Sequence, residues 1–405
     1  FLTILGIVIG ASVYGFTIML MAFLSGIALG SAAYGAYLRL FDVGGQEPDA
    51  RPTRAVVAFG LVQVAIGGAA LVVTHLIRDL PSHALLLQRY LLGSTADTFG
   101  ARQSVDFLLA FSYMLVPAFF MGLAFPLAGQ IRAEYTRVVG HAVGETLAYN
   151  TVGAVLGSAA SGFVLVYLFG IERSVQLLAL VNLAFGALVV VSVRGRRALT
   201  WGVAGAAAVA VVGLAAAGDS WRTWDTRFFA VFQVNRPDKF GTREKARDTL
   251  RNTDVLYYAE GVHAIVSSIK VKGGTQSFVT NGRIEATDNA PDLACQLTLG
   301  HLPMLLHRNP EKVFVLGTGS GMTLGATSAH RSVKQITLAE IEPKVLGAAR
   351  TFARYNHDVL EDPRLRVVFD DGRNFLLTTD ETFDVITADP VHPWFGGAGY
   401  LYTTE

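Results

Sequence analysis

The sequence predicts a two-part protein: an N-terminal α-helical transmembrane bundle, then a C-terminal α/β domain with a Rossmann-like, S-adenosylmethionine-methyltransferase-type parallel sheet. Three observations carry this reading. Apolar windows of about 20 residues, enough to cross a bilayer as helices, recur through residues 1–217 and then cease. Beyond them, strand-like and helix-like segments alternate as βαβα, the order of a parallel doubly wound sheet. The first strand of that region runs into Gly317-Thr318-Gly319-Ser320-Gly321. Such a turn lets backbone and nucleotide approach closely at a helix N-terminus.

Composition sets the limits. Of 405 residues, 52% are hydrophobic and only 16% charged, and the charge is concentrated in the second half. A net charge of +1 points to neither nucleic acid nor acidic partners. The single cysteine, Cys295, excludes an internal disulfide.

In the first half, spans are expected near 13–38, 54–77, 104–128, 146–169 and 174–193. A weaker Ala/Gly-rich window lies near 199–217, and 1–12 reads as the tail of a truncated span, for six to seven in all. Residues 78–103 are too polar to cross and are expected along the interface. The pairs Gly26/Gly30, Gly153/Gly157 and Ser158/Gly162 have the spacing that lets helix backbones pack closely. Glu145, Asn150 and Asn182 lie in or near spans, where polar groups need partners, and interhelical hydrogen bonds are expected. Arginine is densest in the loops near 39–54, 129–145 and 194–197, which places those loops in the cytoplasm. The expectation is an integral protein of a bacterial inner (plasma) membrane, with the bilayer as a partner; the catalytic domain is cytoplasmic if 199–217 lies flat and faces outward if that window spans. A homo-oligomer is compatible with the sequence.

In the second half, 218–254 read as a linker with aromatic anchors (SWRTWDTRFF) followed by a charged stretch. Residues 255–290 form a small antiparallel β unit from LYYAEG, HAIVSSIKVKG and TQSFVTNG, separated by Gly-rich turns. A helix near 291–307 leads into the nucleoside-binding region, 291–405. Strands are expected at 312–317, 335–342, 365–371 and 383–389, with helices at 321–329 and 343–356. Four strands are fewer than such a sheet usually holds, so the end of this domain is expected to be missing from the chain.

The ligand follows from the strand ends. The dinucleotide pattern GxGxxG needs glycine at 322, where this chain has Met322, so NAD fits poorly. Glu340 ends the second strand, where an acid can accept hydrogen bonds from ribose hydroxyls. Asp371, before Gly372, ends the third and can accept from an adenine amine; Asp389 ends the fourth. Ligands sit at the carboxyl ends of strands in such sheets, so these acids should line one crevice. An S-adenosyl cofactor fits this pattern better than NAD, and no metal is implied.

These residues also carry a resemblance. Residues 255–405 resemble the spermidine synthase family of polyamine aminopropyltransferases, from YYAEGVHAIVSSI through VTNGRIEATD, GHLPMLLH, VLGTGSGMTLG, ITLAEIEPKV, DPRLRVVFDDGRNFL and FDVITADP to LYTTE. The apolar half, with FLSGIALGS and YNTVGAVLGSAASGF, is similar to the multi-span region fused to such domains in bacterial membrane proteins. The resemblance implies decarboxylated S-adenosylmethionine as co-substrate, with Gly317, Gly319, Ser320 and Gly321 at its sulfonium end. It implies Glu340 at the ribose, and Asp371 with Gly372 at the adenine. It makes Asp389 the base that orients and deprotonates an amine acceptor, with Gln296, His392 and Tyr402 on the acceptor side.

Three departures from the family's pattern fall where substrate is chosen. Ser320 stands where the loop usually has Asp, Cys295 where Tyr is expected beside Gln296, and the usual second Asp after the catalytic one is replaced near His392. A loop without that acid also tolerates the carboxylate of intact S-adenosylmethionine, so a methyltransferase on the same scaffold is the alternative. A nucleotide-sensing membrane protein or transporter comes third, because a sensor needs no base such as Asp389.

Overall fold

The computed structural model describes residues 2–10, 12–40, 51–92, 99–193, 222–232 and 242–389, with a few isolated positions between 201 and 239. The chain divides into two compact units, Thr17–Asp225 and Phe1–Phe16 with Thr226–Glu405. The sequence reading drew its first boundary at 217 and gave 1–12 to a span. The short helix α1 (Leu2–Ile9) instead falls within the C-terminal unit. There a Cβ on Gly282, whose φ is +76°, would lie 2.9 Å from Ile7 Cγ2.

The helical unit contains α2 (Val13–Leu40), α3 (Arg51–Leu76), α4 (Leu80–Leu92), α5 (Phe99–Thr136), α6 (Val139–Ala159) and α7 (Val166–Val193). A π-helical stretch, Ala160–Leu165, joins α6 to α7. Among the described residues, four runs are long and apolar enough to cross a membrane: Val13–Arg39, Arg54–Asp79, Phe99–Thr136 and Val139–Val193. The last is 55 residues long, and Gly170 (φ 76°, ψ 176°) breaks its helix between the windows expected near 146–169 and 174–193. The window at 199–217 lies largely outside the described residues.

Small residues set the helix spacing. A Cβ on Gly26 would lie 2.6 Å from Ala118 Cβ, and one on Gly30 would run into the carbonyl of Phe119, so α2 and α5 touch backbone to backbone. Gly60, Gly67 and Gly186 do the same between α3 and α7. Gly153, Gly157 and Gly162 do not; no atom of the described residues lies within 4 Å of a Cβ built on them. Of the polar residues, Glu145 pairs with Arg132 of α5, with Nη2 to Oε1 at 3.0 Å. Asn182 donates within its own helix, to the Leu178 carbonyl at 3.1 Å. Buried Glu172 accepts from the Thr223 amide (2.7 Å) and hydroxyl (2.6 Å), fixing the segment after the last described span to α7.

In the C-terminal unit the stretch read as a linker forms two short helices, α8 (Thr226–Val231) and α9 (Arg243–Arg251). Strands β1 (Thr253–Glu260), β2 (Ile265–Val271), β3 (Gln276–Thr280) and β4 (Arg283–Thr287) form an antiparallel meander in that order. The fourth strand, RIEAT, escaped the sequence reading because it is only five residues long and its alternation rests on two apolar residues, Ile284 and Ala286. Helix α10 (Ala290–Leu306), capped by the Asn289 side chain on the Asp292 amide, leads into the second sheet.

That sheet is parallel, with order β7-β6-β5-β8. Its strands are β5 (Lys312–Leu316), β6 (Gln335–Ala339), β7 (Leu365–Val368) and β8 (Val385–Ala388). Helices α11 (Met322–Ser328), α12 (Val345–Arg350), α13 (Ala353–Asn356) and α14 (Gly372–Thr378) fill the crossovers. β5 and β6 read as continuous apolar runs because helices cover both faces of such a sheet. Val313, Val315, Ile336 and Leu338 are at most 1% exposed and share a core with Leu324 and Met304. A second core joins the meander to α11–α13 through Val266, Phe278, Met322, Ala348 and Phe352. Met322, the residue that spoils the dinucleotide pattern, is thus fully buried between the layers.

Helices α10 and α11 pack through Gly300, where a Cβ would lie 2.5 Å from both Ala326 Cβ and the Thr323 carbonyl oxygen. Gly300→Ala should destabilise this unit by about 1–3 kcal/mol through overpacking. That outweighs the ~0.5–1 kcal/mol gained from a better helix former. The measurement is the thermal midpoint of the detergent-solubilised protein, and a raised midpoint would show that the contact relaxes freely.

Candidate active site

The register of the parallel sheet aligns the strand ends. Leu316 pairs with Ala339 on one side and Ala388 on the other, and Ala339 pairs with Val368. The residues that follow, Gly317, Glu340 and Asp389, therefore emerge along one edge of the sheet, with Asp371 three residues beyond β7.

The turn after β5 is built by three left-handed glycines, Gly317 (φ +78°), Gly319 (φ +52°) and Gly321 (φ +80°). Any other residue would cost roughly 1–2 kcal/mol at each. The Gly317 amide donates to the Ala339 carbonyl (2.8 Å) and the Gly321 amide to that of Thr318 (2.7 Å). Around Gly317 and Gly319 no atom of the described residues lies within 4 Å of an added Cβ, so the crest of the turn is clear of them. Gly321 instead abuts Asn356, whose buried Nδ2 donates to the Ser320 carbonyl (3.0 Å) and that of Ala349 (2.8 Å). Ser320 is 1% exposed, and the buried Thr318 hydroxyl has no hydrogen-bond partner among the described residues. An open backbone cradle with an unpaired hydroxyl beside it suits a polar ligand such as a nucleoside.

Glu340 is held from two sides. Its Oε2 accepts from the Thr318 amide at 2.8 Å and its Oε1 from the Glu342 amide at 2.9 Å. Each oxygen keeps a second lone pair for a ligand hydroxyl. Asp371 caps α14, accepting from the Asn374 amide at 2.9 Å. Capping satisfies a free helix amide and leaves the other carboxylate oxygen available. A Cβ on Gly372 would overlap the tip of the Leu316 side chain, which shows how closely α14 approaches the end of β5.

Across the crevice, Gln296 is buried on α10 and uses both ends of its amide. Its Nε2 donates to Asp389 Oδ2 at 2.7 Å, and its Oε1 accepts from the Thr323 hydroxyl at 3.0 Å. Desolvation raises the Asp389 carboxyl above its ordinary range, although the residue as a whole opens to solvent. The Gln296 hydrogen bond opposes this, and the charge of Asp292 adds to it. Glu285 on β4 is also raised, mainly by burial, with the Asp389 charge as a smaller contributor. Glu285 is therefore a further carboxylate within electrostatic reach of Asp389.

The structure thus brings together Gly317–Gly321 with Glu340, Gly372 with β5, and Gln296 with Asp389. His392 and Tyr402 lie outside the described residues. Thr323, Asn356, Glu285 and Glu342 were missed, because their partners are distant in sequence and no local pattern marks them. Among the described residues no group of three or more His, Cys, Asp and Glu is placed to hold a metal ion.

Residues 293–404 match the family model of the Spermine/spermidine synthase domain. A polyamine aminopropyltransferase of Aeropyrum pernix is 33% identical over 163 residues, 39% of this chain and 52% of the relative. One from Klebsiella pneumoniae is 31% identical over 152 residues, 37% of this chain and 52% of the relative. A solved spermidine synthase in complex with the transition state analogue AdoDATO is 30% identical, covering 37% of this chain and 50% of its own, with a TM-score of 0.34. The chain spans about half the length of these curated relatives. The similarity of the C-terminal region is thus to spermine/spermidine synthase domains, over residues 293–404 in the family model.

Proposed function

We propose that this chain is a membrane-anchored transferase that moves an aminopropyl group from decarboxylated S-adenosylmethionine to an amine acceptor of the polyamine type. The observation that carries this reading is the Gln296–Asp389 hydrogen bond, which sets a partly desolvated carboxylate beside a glycine-rich nucleoside cradle. The four apolar runs supply the anchor, in a bacterial inner membrane with the catalytic unit on the cytoplasmic side.

The chemistry needs what these residues offer. An alkyl ammonium has a pKa near ~10.4 and is no nucleophile until it loses a proton. Asp389 holds the ammonium, takes the proton and fixes the line of attack. The co-substrate supplies an activated carbon next to a sulfonium; the new C–N bond forms as the C–S bond breaks, and sulfur leaves as a neutral thioether, 5′-methylthioadenosine. Glu340 orients the ribose and Asp371 the adenine. Glu285 lies where it can meet a second cationic end of the acceptor, and Gln296 keeps the base from turning away. Alignment of this kind contributes several kcal/mol.

Ser320 supports a second reading. It is buried, neutral and in the turn that faces the cofactor's amino-acid end, so it would not repel the carboxylate of intact S-adenosylmethionine. The two readings differ in product: 5′-methylthioadenosine formed in an amine-dependent way, or S-adenosylhomocysteine. Mass spectrometry of the full chain in nanodiscs, given either cofactor and a panel of amines, separates them.

Asp389→Asn should lower kcat by about 10²–10⁴-fold while nucleoside affinity stays nearly unchanged; retained turnover would exclude Asp389 as the base. Glu340→Ala should weaken nucleoside binding, measured by calorimetry, and unaltered affinity would remove its ribose role. The pH profile tests the base separately. A raised carboxyl pKa puts the acidic limb of kcat/KM above the ordinary aspartate range, because activity requires the ionised form. Gln296→Leu removes a hydrogen bond that stabilises that form, so the limb should move to still higher pH.

A further inference from the structure

The β1–β2 turn meets the end of the strand that carries Glu340, and the contact is made by a residue the mechanism does not use. Glu342 lies two residues beyond Glu340 and is 3% exposed. Its Oε2 accepts from the backbone amide of His263 at 2.9 Å, across 79 positions of sequence, and its Oε1 from the amide of Lys344 at 3.0 Å. Gly261 packs beneath this carboxylate so tightly that a Cβ there would overlap it. The Gly261 amide closes the turn on the Ala264 carbonyl at 2.9 Å. The amide of Glu342 is in turn one of the two donors that hold the Glu340 carboxylate.

We propose that Glu342 is a positioning residue for nucleoside binding: its carboxylate fastens the β1–β2 turn to the loop that aims Glu340. The antiparallel meander thereby becomes part of the ribose site without touching the ligand. This rests on the reading of Glu340 as the ribose ligand. A carboxylate is an acceptor at both oxygens, whereas a glutamine amide is an acceptor at one end and a donor at the other. Glu342→Gln therefore cannot satisfy both amides, and one part-buried N–H loses its acceptor.

The test uses the full chain in nanodiscs, with binding of 5′-methylthioadenosine followed by calorimetry and turnover measured at saturating co-substrate. Glu342→Gln should weaken nucleoside binding about tenfold with kcat altered by less than about threefold. Glu342→Asp, which keeps both acceptors on a shorter stem, should recover part of the affinity. Gly261→Ala should reproduce the loss, because its methyl group displaces the carboxylate, yet add nothing further in a Glu342→Ala background. Normal affinity in Glu342→Gln alongside a loss in Glu340→Ala would overturn the proposal and leave the ribose assignment standing. Normal affinity in both would remove the ribose assignment and the proposal with it. An equal fall in kcat and affinity, or full additivity of the Gly261 and Glu342 changes, would reduce Glu342 to a general structural role and overturn the proposal.

Discussion

The parallel pairing of β5 with β6 on one side and β8 on the other governs everything functional in the C-terminal unit. Because Leu316 lies level with both Ala339 and Ala388, the chain leaves the sheet at three neighbouring points, and each exit carries a different chemical group. The first exit is a glycine turn whose crest is clear of the described residues, the second a buried glutamate and the third a half-desolvated aspartate. A shift of one strand by a single residue would send its exit group to the opposite face, since side chains alternate along a strand. The apolar strand residues that lock this register, Val313, Val315, Ile336 and Leu338, are thus as necessary to the site as the acids that line it.

The two cores divide the labour. One lies under the parallel sheet and fixes the register. The other, through Met322 and Phe352, ties α11 and α13 to the antiparallel meander. Met322 occupies the place where a dinucleotide fold keeps a glycine for close helix–strand approach. Here that space is filled by a thioether side chain with no exposure. The helical unit follows a different logic. Its buried apolar residues, such as Ile66, Val73 and Leu109, are joined by close backbone contacts at Gly26, Gly30, Gly60 and Gly186, the kind of packing that small residues permit between apolar helices.

Much of this was legible in the sequence. The alternation of strands and helices, the glycine turn and the acids at 340, 371 and 389 are local signals, and each depends on backbone preference or periodicity that a short window contains. What escaped was tertiary. Strand β4 has too few apolar residues to announce itself. Gln296 was placed near the site only by resemblance, and its double hydrogen bond depends on Thr323 and Asp389, which no window around it includes. Residues 153, 157 and 162 have the spacing of a packing motif, yet the motif encodes only permission for close approach, and among the described residues no neighbour takes it up. The short helices at 226–231 and 243–251 were read as linker because they are brief and their strongest periodicity is in charge.

The fully committed amide of Gln296 has one further consequence. With Thr323 fixing its oxygen, its nitrogen can point only toward Asp389, so the rotation of that carboxylate is settled when the domain folds rather than when substrate arrives. Under the proposed reaction, an incoming amine would meet a base already oriented by Gln296, and the entropy of ordering it would not be charged against the activation barrier. In such a site, affinity for the acceptor and the speed of the chemical step become separable properties that selection can tune independently.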